Sequence, residues 1–149
     1  MRTVLQRVKK ASVTVNGELT GKIGRGLAIF IGIQVNDTLN DVRWMVEKVV
    51  NLRIFEDRNG KMNRSLTDIG GEMLIVSQFT LYGDCRKGRR PGFSTAAPPE
   101  KAEPLYLEFI KQVRDKQIAV AAGIFQAEME VEIRNQGPVT LLLDSEKQF

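Results

Sequence analysis

Polar and apolar positions alternate strictly through Glu128-Met129-Glu130-Val131-Glu132-Ile133, the two-residue period of a half-buried strand. A second strand-like run, Val139-Thr140-Leu141-Leu142-Leu143, follows, and Asn135-Gln136-Gly137-Pro138 separates the two. Proline cannot donate to a sheet ladder, so Pro138 belongs at an edge, a bulge or a turn. Gly137 opens backbone angles closed to other residues and lets another group approach the main chain closely. An X-Pro bond also admits a cis peptide far more readily than other bonds. Two readings result: a tight connection between strands, or a rigid main-chain device facing a ligand.

The same patterning organises the rest of the chain. Met1–Val8 and Lys10–Val15 read as strands, and Asn16-Gly17 is a strong hairpin signal leading into Glu18-Leu19-Thr20. Gly26–Ile33 is apolar on both faces, as in a buried strand. Asp37 or Thr38 can cap a helix whose Val42, Met45, Val46, Val49 and Val50 form one stripe, with Trp44 at its margin. Leu52–Glu56 predicts a further strand turned by Arg58-Asn59-Gly60, and Glu72–Phe79 a buried one announced by Gly70-Gly71. A second helix is expected after Pro98-Pro99 and Glu100, with Leu105, Phe109, Ile110 and Val113 facing the core. It tolerates Pro104 only in its first turn. With no repeat or linker, the expectation is a single α+β domain over residues 1–149: a mostly antiparallel sheet or barrel flanked by two main helices.

Composition narrows the chemistry. The chain contains no histidine, which excludes a Ser-His-Asp triad, a Cys-His pair and a histidine metal site. Its one cysteine, Cys85, permits no internal disulfide and fits a reducing cytoplasm. No metal or cofactor is expected. The longest apolar run, Gly26–Ile33, is too short to span a bilayer, and the first residues lack the apolar core of a signal peptide, so no membrane association is expected. The net charge of +4 gives a weak pointer to an anionic partner, sharpened by Arg86, Lys87, Arg89 and Arg90 clustered in a glycine-containing segment. That segment is either a solvated basic loop or a phosphate contact. Ser77-Gln78-Phe79-Thr80 ends the Glu72–Phe79 strand. Its hydroxyls and amide either satisfy turn backbone groups or form a pocket floor, where Gln78 binds a ligand and a main-chain N–H near Phe79 faces an oxyanion. Neither Ser77 nor Thr80 has an obvious base.

Ser77-Gln78-Phe79-Thr80-Leu81, Asn135-Gln136-Gly137-Pro138-Val139-Thr140 and the opening Gln6-Arg7-Val8, in that setting, resemble the D-aminoacyl-tRNA deacylase family. The similarity runs from Met1 to the final strand and includes the start of the Pro98-Pro99 helix. It implies a homodimeric enzyme, active on aminoacylated tRNA, that hydrolyses the ester between a D-amino acid and the terminal ribose. It further implies that Gly137 and Pro138 form a cis-peptide chiral gate reaching into the partner subunit's active site, with Arg7 helping to hold it. Ser77, Gln78, Phe79 and Thr80 would line the pocket for the aminoacyl-adenosine end. The family's chemistry has been ascribed either to the threonine or to the terminal 2′-hydroxyl of the RNA; a histidine-free chain favours the latter. Arg86, Lys87, Arg89 and Arg90 would be secondary tRNA contacts. Tyr82, Phe93 and Phe125 are candidates to stack on the terminal adenine, against core packing as the alternative. A gate of rigid main-chain atoms suits a broad substrate range, because all D-amino acids share only the ammonium, the ester and the direction of Cβ. Such a gate cannot reject glycine, so glycyl-tRNA is an expected substrate. The competing reading is a non-catalytic RNA-binding module; a hydrolase of small D-amino-acid esters is a third.

Overall fold

The computed structural model describes residues 1–149. Met1–Val8 and Lys10–Val15 join into one long strand, β1 (Arg2–Val15). Asn16 and Gly17 both take positive φ, 51° and 79°, as a two-residue hairpin turn requires, and return the chain along β2 (Glu18–Ile23). β3 (Gly26–Gly32) follows. The Thr38 side chain caps α1 (Leu39–Asn51), and Asp41 reaches back to the Thr38 N–H at 2.9 Å, closing a capping box. β4 (Phe55–Glu56) and β5 (Met62–Arg64) make a small separate hairpin. β6 (Glu72–Ser77) and a short 3-10 turn (Phe79–Tyr82) lead towards α2 (Pro99–Asp115), then β7 (Val120–Ala122) and β8 (Glu130–Asp144).

β1 is the axis of the sheet. One edge pairs antiparallel with β3 near its start and with β2 near its end; the other pairs with β8 from Arg2 to Thr14. β3 to β6 and β6 to β7 run parallel, so the sheet is mixed. It curls until β2 faces β7: a Cβ added at Gly21 would lie 3.0 Å from the Ala122 carbonyl oxygen, and glycine allows this near-closure into a barrel. The expected α+β architecture with two helices is therefore present. The main core lies between the sheet and both helices. It joins Leu5, Leu27 and Ile29 from the strands to Val46 and Val49 of α1 and Phe109 and Val113 of α2. A smaller cluster around Val8, Val13, Ala28 and Leu74 fills the other face, so β3 and β6 are buried on both sides.

Four local expectations shift. The strand expected over Leu52–Glu56 shrinks to Phe55–Glu56, because Leu52 is the C-cap of α1 and a side chain takes the Ile54 carbonyl. β6 ends at Ser77, short of Phe79. Pro104 lies beyond the first turn of α2, on its exposed side, where the carbonyl that loses its partner faces solvent. The runs on either side of Gly137-Pro138 belong to one strand, since both pair with β1. No helix is long and apolar enough to cross a membrane.

Candidate functional site

The C-terminal end of β6 builds the first half of the site. Met73–Val76 are buried, and Gln78 N–H donates to the Ile31 carbonyl at 2.8 Å as the final rung. The chain then tightens into the Phe79–Tyr82 turn, whose first N–H groups, Phe79 and Thr80, have no intrahelical acceptor. Gln78 Nε2 donates to Thr80 Oγ1 at 2.5 Å. A cavity of about 590 Å³ opens beside this turn, lined by Ser77, Gln78 and Phe79 with Pro99, Phe125 and Met129 among others. No ionisable side chain lines it. Beneath it, Tyr106 donates its hydroxyl to the Ile75 carbonyl at 3.0 Å, and its ring packs 5.8 Å from that of Phe125. Burial pushes the Tyr106 hydroxyl up to about 12, so it stays a donor at ordinary pH.

Thr80 does not line the cavity; its hydroxyl accepts from Gln78, with no basic side chain bonded to it. Phe125, Gln126, Ala127, Met129 and Val131 form the far wall, of which only Phe125 is a candidate from the sequence. Its one local signal is conformational: Gln126 takes φ +62°, unusual without glycine and invisible in sequence. Of the three aromatic candidates, Phe125 lines the cavity. Tyr82 is buried, its ring under the Arg2 guanidinium at 4.7 Å, which assigns it to packing. Phe93 is partly exposed and packs against Phe79.

The second half of the site lies on the β1–β8 ladder. Gln6 pairs with Thr140 and Val8 with Asn135, so Gln136–Val139 bulge opposite the single residue Arg7. The Gly137–Pro138 peptide is cis, and Gly137 has φ +127°. Side chains fix this bulge from several directions. Arg7, buried, donates from Nε to the Gln136 carbonyl at 3.1 Å and from Nη1 to the Ile54 carbonyl at 2.7 Å, with Glu56 Oε1 at 3.5 Å from Nη2. Asn135 Oδ1 accepts from the Val139 N–H at 3.0 Å, while Asn135 Nδ2 and Gln6 Nε2 each donate to Thr140 Oγ1 at 3.1 Å. Arg7, Gly137 and Pro138 are thus brought together, yet none of them lines the cavity of its own chain.

The basic segment is a loop pinched by two backbone hydrogen bonds between Asp84 and Gly92, at 2.7 and 2.9 Å. Its four cations are not equivalent. Arg86 makes a two-point pair with Asp84, at 2.9 and 2.7 Å, and this holds the Asp84 carboxyl well below the usual carboxylate range. Lys87, Arg89 and Arg90 form no ion pair. A second, polar cavity of about 770 Å³ lies beside the loop, but its arginines are already matched, Arg2 with Asp144 and Arg86 with Asp84. No three metal-ligating side chains converge anywhere.

Residues 4–144 match the family model described as D-Tyr-tRNA(Tyr) deacylase. The chain is 58% identical to the D-aminoacyl-tRNA deacylase of Desulfitobacterium hafniense and 60% identical to that of Desulfotalea psychrophila, each covered end to end over 149 residues. Among solved structures, it superposes on the c-Myc DNA unwinding element binding protein with a TM-score of 0.91 and 44% identity. That match covers 97% of this chain and 98% of the other. A probable eukaryotic D-amino acid tRNA deacylase shares the fold, with a TM-score of 0.83 at 21% identity over 95% and 97% of the two chains.

Proposed function

This chain belongs to the D-Tyr-tRNA(Tyr) deacylase family, and we propose on that footing that it hydrolyses the ester of D-aminoacyl-tRNA, releasing the amino acid and free tRNA in the cytoplasm. The observation that carries the reading is the uncharged cavity at the end of β6, lined by Ser77, Gln78 and Phe79. An apolar, unionised pocket suits the neutral adenosine end and offers no competing acid or base. The N–H groups of Phe79 and Thr80, free of intrahelical partners, supply donors for the charge that develops on the ester oxygen. Water adds to the carbonyl carbon and gives up a proton, the bond to the ribose 3′-oxygen then breaks, and that oxygen takes up a proton to become the free 3′-hydroxyl. The neighbouring ribose 2′-hydroxyl relays this proton, accepting from the water as it donates to the 3′-oxygen. Thr80, whose hydroxyl only accepts from Gln78, is not the nucleophile.

Chirality is read by the Gly137–Pro138 bulge, which enters the cavity of a second copy in a homodimer. Its anchoring by Arg7, Asn135 and Gln6 supports a rigid role, and its absence from its own chain's cavity supports action across the subunit boundary. Rigid main-chain atoms crowd the L position of Cβ whatever the side chain beyond it. Lys87, Arg89 and Arg90 contact tRNA phosphates outside the cavity; Arg86, held by Asp84, contributes less.

Release of amino acid from matched D-tyrosyl-, L-tyrosyl- and glycyl-tRNA tests this function. Loss of the D and glycyl esters, with the L ester persisting, is the expected result. Salt-sensitive tRNA binding without release of any amino acid would return the chain to the RNA-binding module.

A further inference from the structure

Two large aromatic rings stand outside the apolar interior next to the cavity. Phe79 is 57% exposed and Phe93 37% exposed, and their rings meet edge to face, 5.1 Å apart at 66°. Four of the chain's eight other aromatic residues, Phe55, Tyr82, Tyr106 and Phe109, are buried, and of the rest only Phe149 is as exposed as this pair. Phe79 lines the cavity, whereas Phe93 lies beyond its rim. Phe93 directly follows Gly92, where the backbone bridge to Asp84 closes the basic loop, and its ring crosses Gly83, where a Cβ would come within 3.2 Å of it. The pair therefore occupies the ground between the neutral cavity and the unpaired cations Lys87, Arg89 and Arg90.

We infer that the Phe79–Phe93 pair is a stacking platform for an unpaired nucleobase of the RNA, the one preceding the terminal adenosine. The inference rests on the deacylase reading, which puts the terminal adenosine in the cavity. The next nucleotide then emerges past Phe79, with its phosphate on the side of the basic loop. An unpaired base offers a flat π face whatever its identity, and aromatic side chains bind it without sequence preference. The charge on the loop favours a polyanion over an apolar protein partner at this surface. The ring of Phe79 thus has a separate role from its main-chain N–H.

Cleavage of full D-tyrosyl-tRNA is compared with cleavage of 3′-O-D-tyrosyl-adenosine, a substrate with the same ester and 2′-hydroxyl but no preceding base. The enzymes are the unmodified protein, Phe93→Leu and Phe93→Tyr, checked for equal thermal stability. Phe93→Leu is expected to raise KM for the tRNA roughly 5- to 100-fold, the range associated with one stacked base, and to leave kcat/KM for the nucleoside ester unchanged. Phe93→Tyr is expected to restore the tRNA value. Equal loss on both substrates would mean the ring shapes the cavity, and no loss on either would mean it is idle; both outcomes overturn the platform. So does a shift in sedimentation of Phe93→Leu, which would mark the pair as a subunit contact. If the unmodified protein cleaves neither substrate, the deacylase reading itself has failed.

Discussion

Gly137 is the residue on which the chiral reading turns, and two independent features forbid a side chain there. Its φ of +127° is open to glycine alone, and a Cβ would meet Val139 Cγ2 at 2.9 Å and Arg7 Nη2 at 3.1 Å. Neither neighbour can retreat freely. Val139 is held through its N–H by Asn135, and Arg7 is locked to two carbonyls. Gly137→Ala is therefore expected to displace the main chain, lowering the rate on D-tyrosyl-tRNA by at least about tenfold, about 1.4 kcal/mol, while the protein remains folded by circular dichroism. An unchanged rate with unchanged preference between enantiomers would remove Gly137 from the gate. The sequence identified Gly137 and Pro138 as special because their backbone limits are properties of the residues themselves. It gave no such hint for Gln126, an ordinary residue driven to positive φ by its surroundings.

Among the elements, those that matched expectation carry their instructions locally. The Asn16-Gly17 turn, the Thr38–Asp41 capping box and the α1 stripe are each specified within a few residues. The parallel pairing of β3 with β6 and of β6 with β7 depends on partners 46 or 47 positions apart in the chain, which no local pattern encodes. In the cavity wall, Phe125 is a stacking candidate and Met129 and Val131 belong to an expected strand, but their meeting with the end of β6 is long-range in the same way. α2 is tied to the floor of the site by Tyr106, whose hydroxyl donates to the Ile75 carbonyl. That carbonyl also accepts from the Gly123 N–H at 3.1 Å, so Tyr106→Phe leaves it one partner. The expected loss is about 0.5–1.5 kcal/mol in urea denaturation; a loss beyond about 3 kcal/mol would mean the hydroxyl does more than this bond. In the basic loop, Arg89→Ala with Arg90→Ala should reduce the slope of log K against log salt for tRNA binding by roughly 0.7–0.9 per lost phosphate contact. An unaltered slope would make the loop a solvated one.

Across the whole molecule, the two halves of the site sit on different parts of one sheet, the cavity beside β6 and the Gly137–Pro138 bulge on β8. β8 pairs only with β1, leaving its outer edge without a partner along 15 residues, with Leu142 exposed on it. The homodimer proposed above would use this face, and it requires the bulge of each copy to reach the cavity of the other, an expectation that rests on family resemblance and not on any residue pattern. The most direct test combines two damaged chains: Gly137→Ala, with an intact cavity, and Gln78→Ala, with an intact bulge. The two are co-expressed with different affinity tags, and the mixed dimer is isolated through both. If the bulge works across the boundary, that dimer holds one fully intact site and should show about half the wild-type rate on D-tyrosyl-tRNA, far above either parent. A mixed dimer no more active than its parents, or no mixed species to isolate, would contradict the shared site.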